Sequence, residues 1–202
     1  SSTTVALGAH GSAFGYNGTA ITLGQGRGNF GGAVGIADAT SFHGSFTYGL
    51  STFMDWRFKL GMIDPGGGVD AELTFGTDLK WKLWDYVPNG KHPIDLALSF
   101  RFEYVSYDPF SVLQLGGGVV GSYPLSLSGG STLTPYGRMG LRIESVNLDL
   151  PPGSSGDDSE TSLKFGFNGG VAWALSGSTT VYGEFQLDGN DGIFLGLDFS
   201  IM

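Results

Sequence analysis

The feature that most constrains this chain is a strict two-residue alternation of apolar and charged side chains. Successive side chains of a β-strand point to opposite faces, so such a pattern predicts strands with one apolar and one charged face. It is clearest in residues 70–85 and 94–104 and recurs in residues 138–144, 163–173 and 193–201. In the first run one face carries Leu73, Phe75, Leu79, Trp81 and Leu83, and the other carries Glu72, Thr74, Asp78, Lys80 and Lys82.

Clusters of Gly, Asn, Asp, Ser and Pro divide the chain into about twelve predicted strands. In residues 3–38 glycine dilutes the alternation, and the turn at the second break depends on a change of apolar parity. Without that turn the count is ten strands, and either even count returns both ends of the chain to the same side of the sheet. The eleven breaks are residues 17–18, 26–29, 38–40, 51–52, 64–70, 86–93, 108–109, 126–132, 150–160, 176–178 and 189–191.

The composition indicates one all-β domain, residues 1–202, rather than a helical membrane protein. No run approaches the 18 uninterrupted apolar residues that a transmembrane helix needs. Charged residues make up only 14% of the chain, hydrophobic residues 41%, and 36 of the 202 residues are glycine. A chain of this length fits a single small barrel.

Alternation alone does not say which face is inside, because a soluble β-sandwich with its charges on the surface alternates too. Aromatic residues near the strand ends favour the inverted arrangement, since such residues form girdles at membrane interfaces. In lipid an open sheet edge leaves backbone groups unsatisfied, so the sheet must close. We therefore expect a closed antiparallel transmembrane β-barrel. The predicted girdle residues are Trp84, Tyr86, Tyr104, Tyr107, Tyr123, Tyr136 and Trp173.

Residues 48–55, 170–184 and 192–199 resemble the hairpins of bacterial outer-membrane β-barrel proteins, in particular small porin-like barrels. The resemblance lies in the pattern of alternating faces and covers most of the chain. It implies a barrel fold and a location in the bacterial outer membrane, and it implies no activity.

The sharpest functional candidates are the charged residues that share the polar strand faces. If they surround an aqueous pore, they set its selectivity for ions and solutes. In the alternative, they neutralise one another across strands and fill a narrow barrel. The predicted lumen-lining residues are Asp55, Arg57, Lys59, Glu72, Asp78, Lys80, Lys82, Asp95, Arg101, Glu103, Arg138, Arg142, Glu144, Lys164, Glu184 and Asp188.

Other chemistry has little support in the sequence. The net charge of −9 and the scattered basic residues argue against a nucleic-acid partner. Without cysteine the chain has no thiolate ligand or Cys nucleophile. The acidic clusters at residues 157–160 and 188–191 lack the spacing of a calcium loop. His10, His43 and His92 lie in no recognisable Ser-His stretch, so we predict no enzyme activity, no catalytic or metal site and no cofactor.

The leading hypothesis is a small porin-like channel for ions or small polar solutes, in contact with membrane lipid. The second hypothesis is a closed structural or assembly barrel that binds a partner protein or lipid through its rim. An outer-membrane hydrolase that uses His10 or His43 is third.

Overall fold

The computed structural model describes residues 12–64, 70–88, 90–107, 110–148 and 159–201. None of these residues forms a helix that could cross a membrane. The strands in the described ranges are β1 (Gly28–Ile36), β2 (Thr40–Gly49), β3 (Met54–Asp64), β4 (Glu72–Trp84), β5 (Asp95–Tyr107), β6 (Phe110–Ser122), β7 (Leu125–Ser126), β8 (Thr132–Leu148), β9 (Ser159–Ala174), β10 (Thr179–Leu187) and β11 (Gly192–Ile201).

Ten of these strands close into an antiparallel barrel. Each long strand pairs with its neighbours in the chain, β6 pairs directly with β8, and β1 pairs with β11 to complete the circle. The two-residue strand β7 pairs only with the beginning of β8. The closed antiparallel fold is therefore confirmed. The estimate of twelve strands is wrong, and the alternative of ten is correct.

The error lies in the first part of the chain. The predicted breaks at residues 17–18 and 26–29 do not join strands, because residues 12–27 form no strand and residues 12–20 are almost all buried inside the barrel. A segment surrounded by protein has no lipid-facing side, so it has no reason to alternate. The later breaks fall between paired strands; those at residues 64–70, 108–109 and 150–160 lie largely outside the described residues.

The two faces of the barrel are those that the alternation predicts. The outer face exposes large apolar side chains, whereas the inner face carries the buried charges. This inverted distribution is what a hydrocarbon solvent demands of a barrel wall. Exposed apolar residues from the predicted runs include Leu73, Phe75, Trp81, Leu83, Phe100, Leu141, Ile143, Leu163, Phe165, Trp173, Ile193, Leu195, Leu197, Phe199 and Ile201.

We call the end of the barrel at which β1 begins and β11 ends the proximal end, and the opposite end the distal end. All four tryptophans of the chain, Trp56, Trp81, Trp84 and Trp173, are exposed on the proximal half of their strands. Such a concentration is typical of a membrane interface. Tyr136 is an exception among the predicted girdle residues: it is 6% exposed and lies inside the lumen.

Tyr136 was assigned to the girdle because it is an aromatic residue near a strand end. It is two residues from buried Arg138 on β8, so the period of the strand places both side chains on the inner face. The side chain of Tyr107, another predicted girdle residue, lies outside the described residues.

The inverted distribution of side chains makes a testable prediction for the middle of β8. Leu141 is 53% exposed on the outer face, and Asn147 lies on the same face near the distal end of the strand. Leu141→Arg places a charge in hydrocarbon and is expected to lower the free energy of unfolding from lipid vesicles by about 2–4 kcal/mol. Asn147→Arg is the matched control, with an expected cost of about 0–1 kcal/mol. Equal costs at the two positions in denaturant titrations would contradict a lipid-facing exterior.

Candidate functional site

Residues 12–23, which we call the lumen segment, pass through the interior of the barrel from the distal to the proximal end. At the distal end the amide of Ser12 donates to Asp188 Oδ2 (3.2 Å), and Asn190 Nδ2 donates to the carbonyl of Ser12 (3.0 Å). At the proximal end the amide of Leu23 donates to both carboxylate oxygens of Asp55, at 3.2 Å each. The segment therefore occupies the space in which the sequence predicts a pore.

Glu184 on β10 holds the amides at the centre of the lumen segment. Asn17 has a φ of 47°, in the left-handed region, and the amides of residues 16 and 17 point together at the same carboxylate. Consecutive N–H groups that converge in this way form an anion-binding nest. Four donors reach the carboxylate: the amides of Tyr16 and Asn17 (2.6 Å each), Tyr136 Oη (2.7 Å) and Asn168 Nδ2 (2.9 Å).

The carbonyl oxygens of the same turn face basic residues on β3. Arg57 donates to the carbonyls of residues 16 and 17 at 2.6 and 3.0 Å, and Lys59 donates to that of residue 15 at 3.2 Å. Asp78 on β4 pairs with both cations, at 2.5 Å from Arg57 and 3.0 Å from Lys59. The turn is thus held by its amides from one side and by its carbonyls from the other.

Closer to the proximal end, wall residues again bind the main chain of the lumen segment. Lys80 Nζ donates to the carbonyls of residues 19 and 21 and pairs with Asp55 at 3.3 Å. The amide of Ala20 donates to Ser122 Oγ at 3.1 Å. Because these contacts use backbone atoms, they depend on the path of the segment more than on its side chains.

The distal part of the lumen is apolar around Phe14, which is fully buried. Its ring meets the edge of His43 on β2, with the centroids 4.8 Å apart. Gly76 gives the ring its space, because a Cβ at residue 76 would lie 2.9 Å from Phe14. The wall residues in this cluster are Ile63, Val105, Val112 and Val146.

A second group of charges surrounds the distal end of the lumen segment. Ser12 Oγ donates to Glu103 at 2.8 Å, and Arg101 pairs with the same carboxylate at 3.2 Å. Arg142 pairs with Asp188 at 2.9 Å. Burial raises the pKa of the Asp188 carboxyl, and Arg142 and Arg101 oppose this rise.

The structure places all sixteen predicted lumen residues at buried or partly buried positions. Their role as a selectivity lining stays a prediction. Lys82 pairs with Asp85 at the proximal rim (2.9 Å) and does not contact the lumen segment. Partly buried members are Arg57, Glu72, Lys80, Lys82 and Lys164. The buried members are Asp55, Lys59, Asp78, Asp95, Arg101, Glu103, Arg138, Arg142, Glu144, Glu184 and Asp188.

Between the lumen segment and the wall lies a cavity of about 300 Å³ at the proximal end, which we call the proximal cavity. Asp198 on β11 lines it beside Tyr182, whose hydroxyl donates to Asp198 Oδ2 at 3.1 Å. Asp198 was not among the predicted lumen residues, although its position between Leu197 and Phe199 places it on the inner face. The lumen segment itself was also not predicted, because it has no charge and no alternation to mark it.

The histidines that suggested a hydrolase meet no nucleophile in the described part of the chain. His43 is buried against Phe14, and its Nδ1 has no hydrogen-bond partner there. His92 stacks on Trp84 with the ring centroids 5.1 Å apart, and His10 lies outside the described residues. The described residues contain no group of three metal-ligating side chains. The acids at residues 188–191 accept backbone N–H groups of their own turn.

Closure, an apolar exterior and a charged lumen together define a transmembrane β-barrel. No protein-family model matches the sequence, and no curated protein matches it. Solved structures with the same general architecture do match. They include the N-terminal β-barrel domain of Pseudomonas aeruginosa OprF, with 12% identity, 88% of this chain and 99% of that chain covered, and a TM-score of 0.40.

Two further matches are similar in extent. The KdgM porin has 9% identity and a TM-score of 0.40 over 86% of this chain and 99% of that one. An outer membrane channel from Pseudomonas putida F1 has 12% identity and a TM-score of 0.39 over 91% and 97%. Because these identities and TM-scores are low, the assignment of this chain to the transmembrane β-barrels rests on its own strand pairing and on the apolar and charged faces of its strands. At the level of architecture, the predicted resemblance to outer-membrane barrels is confirmed.

The contacts of Glu184 predict how firmly the lumen segment is held. In Glu184→Gln an NH₂ group replaces one acceptor oxygen, so at least one buried donor loses its partner. The expected cost is about 1–3 kcal/mol in the free energy of unfolding. Faster hydrogen exchange at the amides of Tyr16 and Asn17 should accompany this loss. Glu160→Gln, at an exposed position on β9, is the control and should change neither quantity. Unchanged exchange in Glu184→Gln would show that Glu184 does not anchor the segment.

Proposed function

We propose that this chain is a bacterial outer-membrane barrel that acts as a small porin-like channel for ions or small polar solutes, with the lumen segment as its gate. The observation that carries the proposal is that seven of the sixteen lumen charges, on both sides of the barrel, are hydrogen-bonded to the main chain of one segment. Withdrawal of that segment would leave a polar path lined by charges of both signs.

The number of strands supports a lumen with room for such a path. About eight strands enclose an interior that side chains alone can fill, and the diameter grows with each added strand. The ten-stranded wall here encloses a length of chain together with the proximal cavity. The space taken by the lumen segment is therefore the space that its withdrawal would open.

Two lumen charges indicate that the wall does not neutralise itself completely. Among the described residues, no carboxylate lies within 4.0 Å of Arg138 and no cation within 4.0 Å of Glu184. Arg138 Nε donates to Ser99 Oγ at 2.9 Å, and its guanidinium lies 5.5 Å from the ring centroid of Tyr16. Both charges face the lumen segment. In the open lumen they would contact water and passing ions directly.

The second candidate, a closed structural barrel, is favoured by the contacts that hold the segment at both ends and at its centre. Leu23, Tyr16 and Ser12 are each hydrogen-bonded to a wall carboxylate. If the segment never leaves, the barrel conducts nothing and functions through its surface. The two candidates therefore differ in one measurable property, the mobility of the lumen segment.

A reversible cross-link tests the gate. The amide of Ala20 on the lumen segment donates to Ser122 Oγ on the wall at 3.1 Å, so these neighbouring positions are the pair chosen for a disulfide. The chain has no cysteine, so Ala20→Cys with Ser122→Cys introduces a single thiol pair. In planar bilayers we expect channel openings from the reduced protein and their loss, by at least about tenfold, after oxidation. Reducing agent should restore them.

The wild-type protein under the same oxidant and reductant is the control, because it has no thiol to respond. The closed-barrel candidate would replace the channel if wild-type and reduced protein, both folded by heat-modifiable gel migration, showed no conductance above the background leak.

A further inference from the structure

The wall of the proximal cavity carries five hydroxyl groups that make no hydrogen bond to another described residue. Thr134 shows this best, because it is only 5% exposed, lines the cavity and makes no side-chain hydrogen bond within the described part of the chain. Four further cavity residues, which are partly buried or exposed, also make no side-chain hydrogen bond to another described residue; they are Thr47, Thr132, Thr180 and Ser200 on β2, β8, β10 and β11. Each hydroxyl offers one donor and two acceptor sites.

Asp198 adds a strong acceptor to this wall. Its partners are the neutral side chains of Tyr182 and Asn29, and no Lys or Arg among the described residues lies within 4.0 Å of it. Gly31 on the neighbouring strand leaves space for the carboxylate, since a Cβ at residue 31 would lie 2.1 Å from Asp198 Oδ1. The carboxylate therefore lies along the wall of the cavity, where a bound molecule could donate to it.

The two cations that line the cavity, Arg57 and Lys80, are already occupied. Arg57 binds Asp78 and two carbonyls of the lumen segment, and Lys80 binds Asp55 and two further carbonyls. An anionic solute would meet Asp198 and find no uncommitted cation among these residues. A molecule with several hydroxyl groups, in contrast, can pair with both the hydroxyls and the carboxylate.

We propose that the proximal cavity binds a small neutral polyol, about the size of one sugar ring. The inference deepens the proposed function, because this cavity would be the proximal binding site of the solute path. Its volume of about 300 Å³ lies at the small end of the range for small-molecule pockets. Ala172 and Ala174 supply apolar contacts for the carbon skeleton, while the threonines and Asp198 pair with its hydroxyls.

Equilibrium binding of myo-inositol and D-glucose to the full chain in lipid nanodiscs tests the proposal, by saturation-transfer NMR and calorimetry. We expect saturable binding of at least one of them. Thr134→Val and Thr180→Val remove a hydroxyl with little change of shape and should each weaken it about tenfold. Thr161→Val is the matched control on β9, near the distal end, and should leave binding unchanged. Ethylammonium chloride is the comparison probe, because an isolated carboxylate would favour a cation.

The proposal is overturned if folded protein binds neither polyol, or if ethylammonium binds and the polyols do not compete with it. Equal binding by the wild type and both valine variants would also overturn it. The oxidised Ala20→Cys/Ser122→Cys protein distinguishes a failure of polyol binding from a failure of the proposed gate. Its cavity stays intact, so polyol binding should persist even where conductance is absent. If the wild type and the reduced variant also bind polyol and neither of them conducts, the channel is rejected and the cavity is retained as a binding site.

Discussion

Closure of the backbone hydrogen-bond ladder is the constraint on which the rest of this structure depends. A bilayer offers no partner to an unpaired N–H or C=O group, so a sheet survives there only if its first and last strands meet. In this chain β1 and β11 pair over nine residues, from Gly28 with Ile201 to Ile36 with Ile193. Closure gives each strand of the barrel one face toward lipid and one toward the lumen. Apolar and polar residues therefore alternate along the strands.

Closure also creates an interior that must be filled. In a soluble protein the interior is apolar, but here the apolar side chains are committed to lipid and the charges point inward. Buried charges are costly unless they are paired and hydrogen-bonded. The lumen segment solves much of this problem with backbone groups: its amides satisfy Glu184 and Asp55, and its carbonyls satisfy Arg57 and Lys80. The lumen segment and the barrel wall thus form one hydrogen-bonded unit.

The lumen is graded along its axis. Apolar packing around Phe14 fills the distal part, charge-assisted hydrogen bonds hold the centre, and the proximal part keeps a hydroxyl-lined cavity. As the proposed gate, the lumen segment would open by exchanging its main-chain contacts for water, which solvates backbone groups and charges well. Exposure of the apolar cluster around Phe14 would cost more free energy, because water does not replace the contacts of a buried ring.

The sequence by itself determined the strands, their faces, the later hairpins and the inward direction of residues such as Asp78 and Glu184. These features are local, since alternation reports directly which side chains meet lipid. Only the tertiary structure decided the strand count, the inward position of Tyr136 and the contents of the lumen. Residues 12–20 are almost all buried inside the barrel and have no lipid-facing side, so no periodic pattern marks them. Their partners, such as Asn190 for Ser12, are as many as 178 residues away in the chain and come within reach only when the barrel closes.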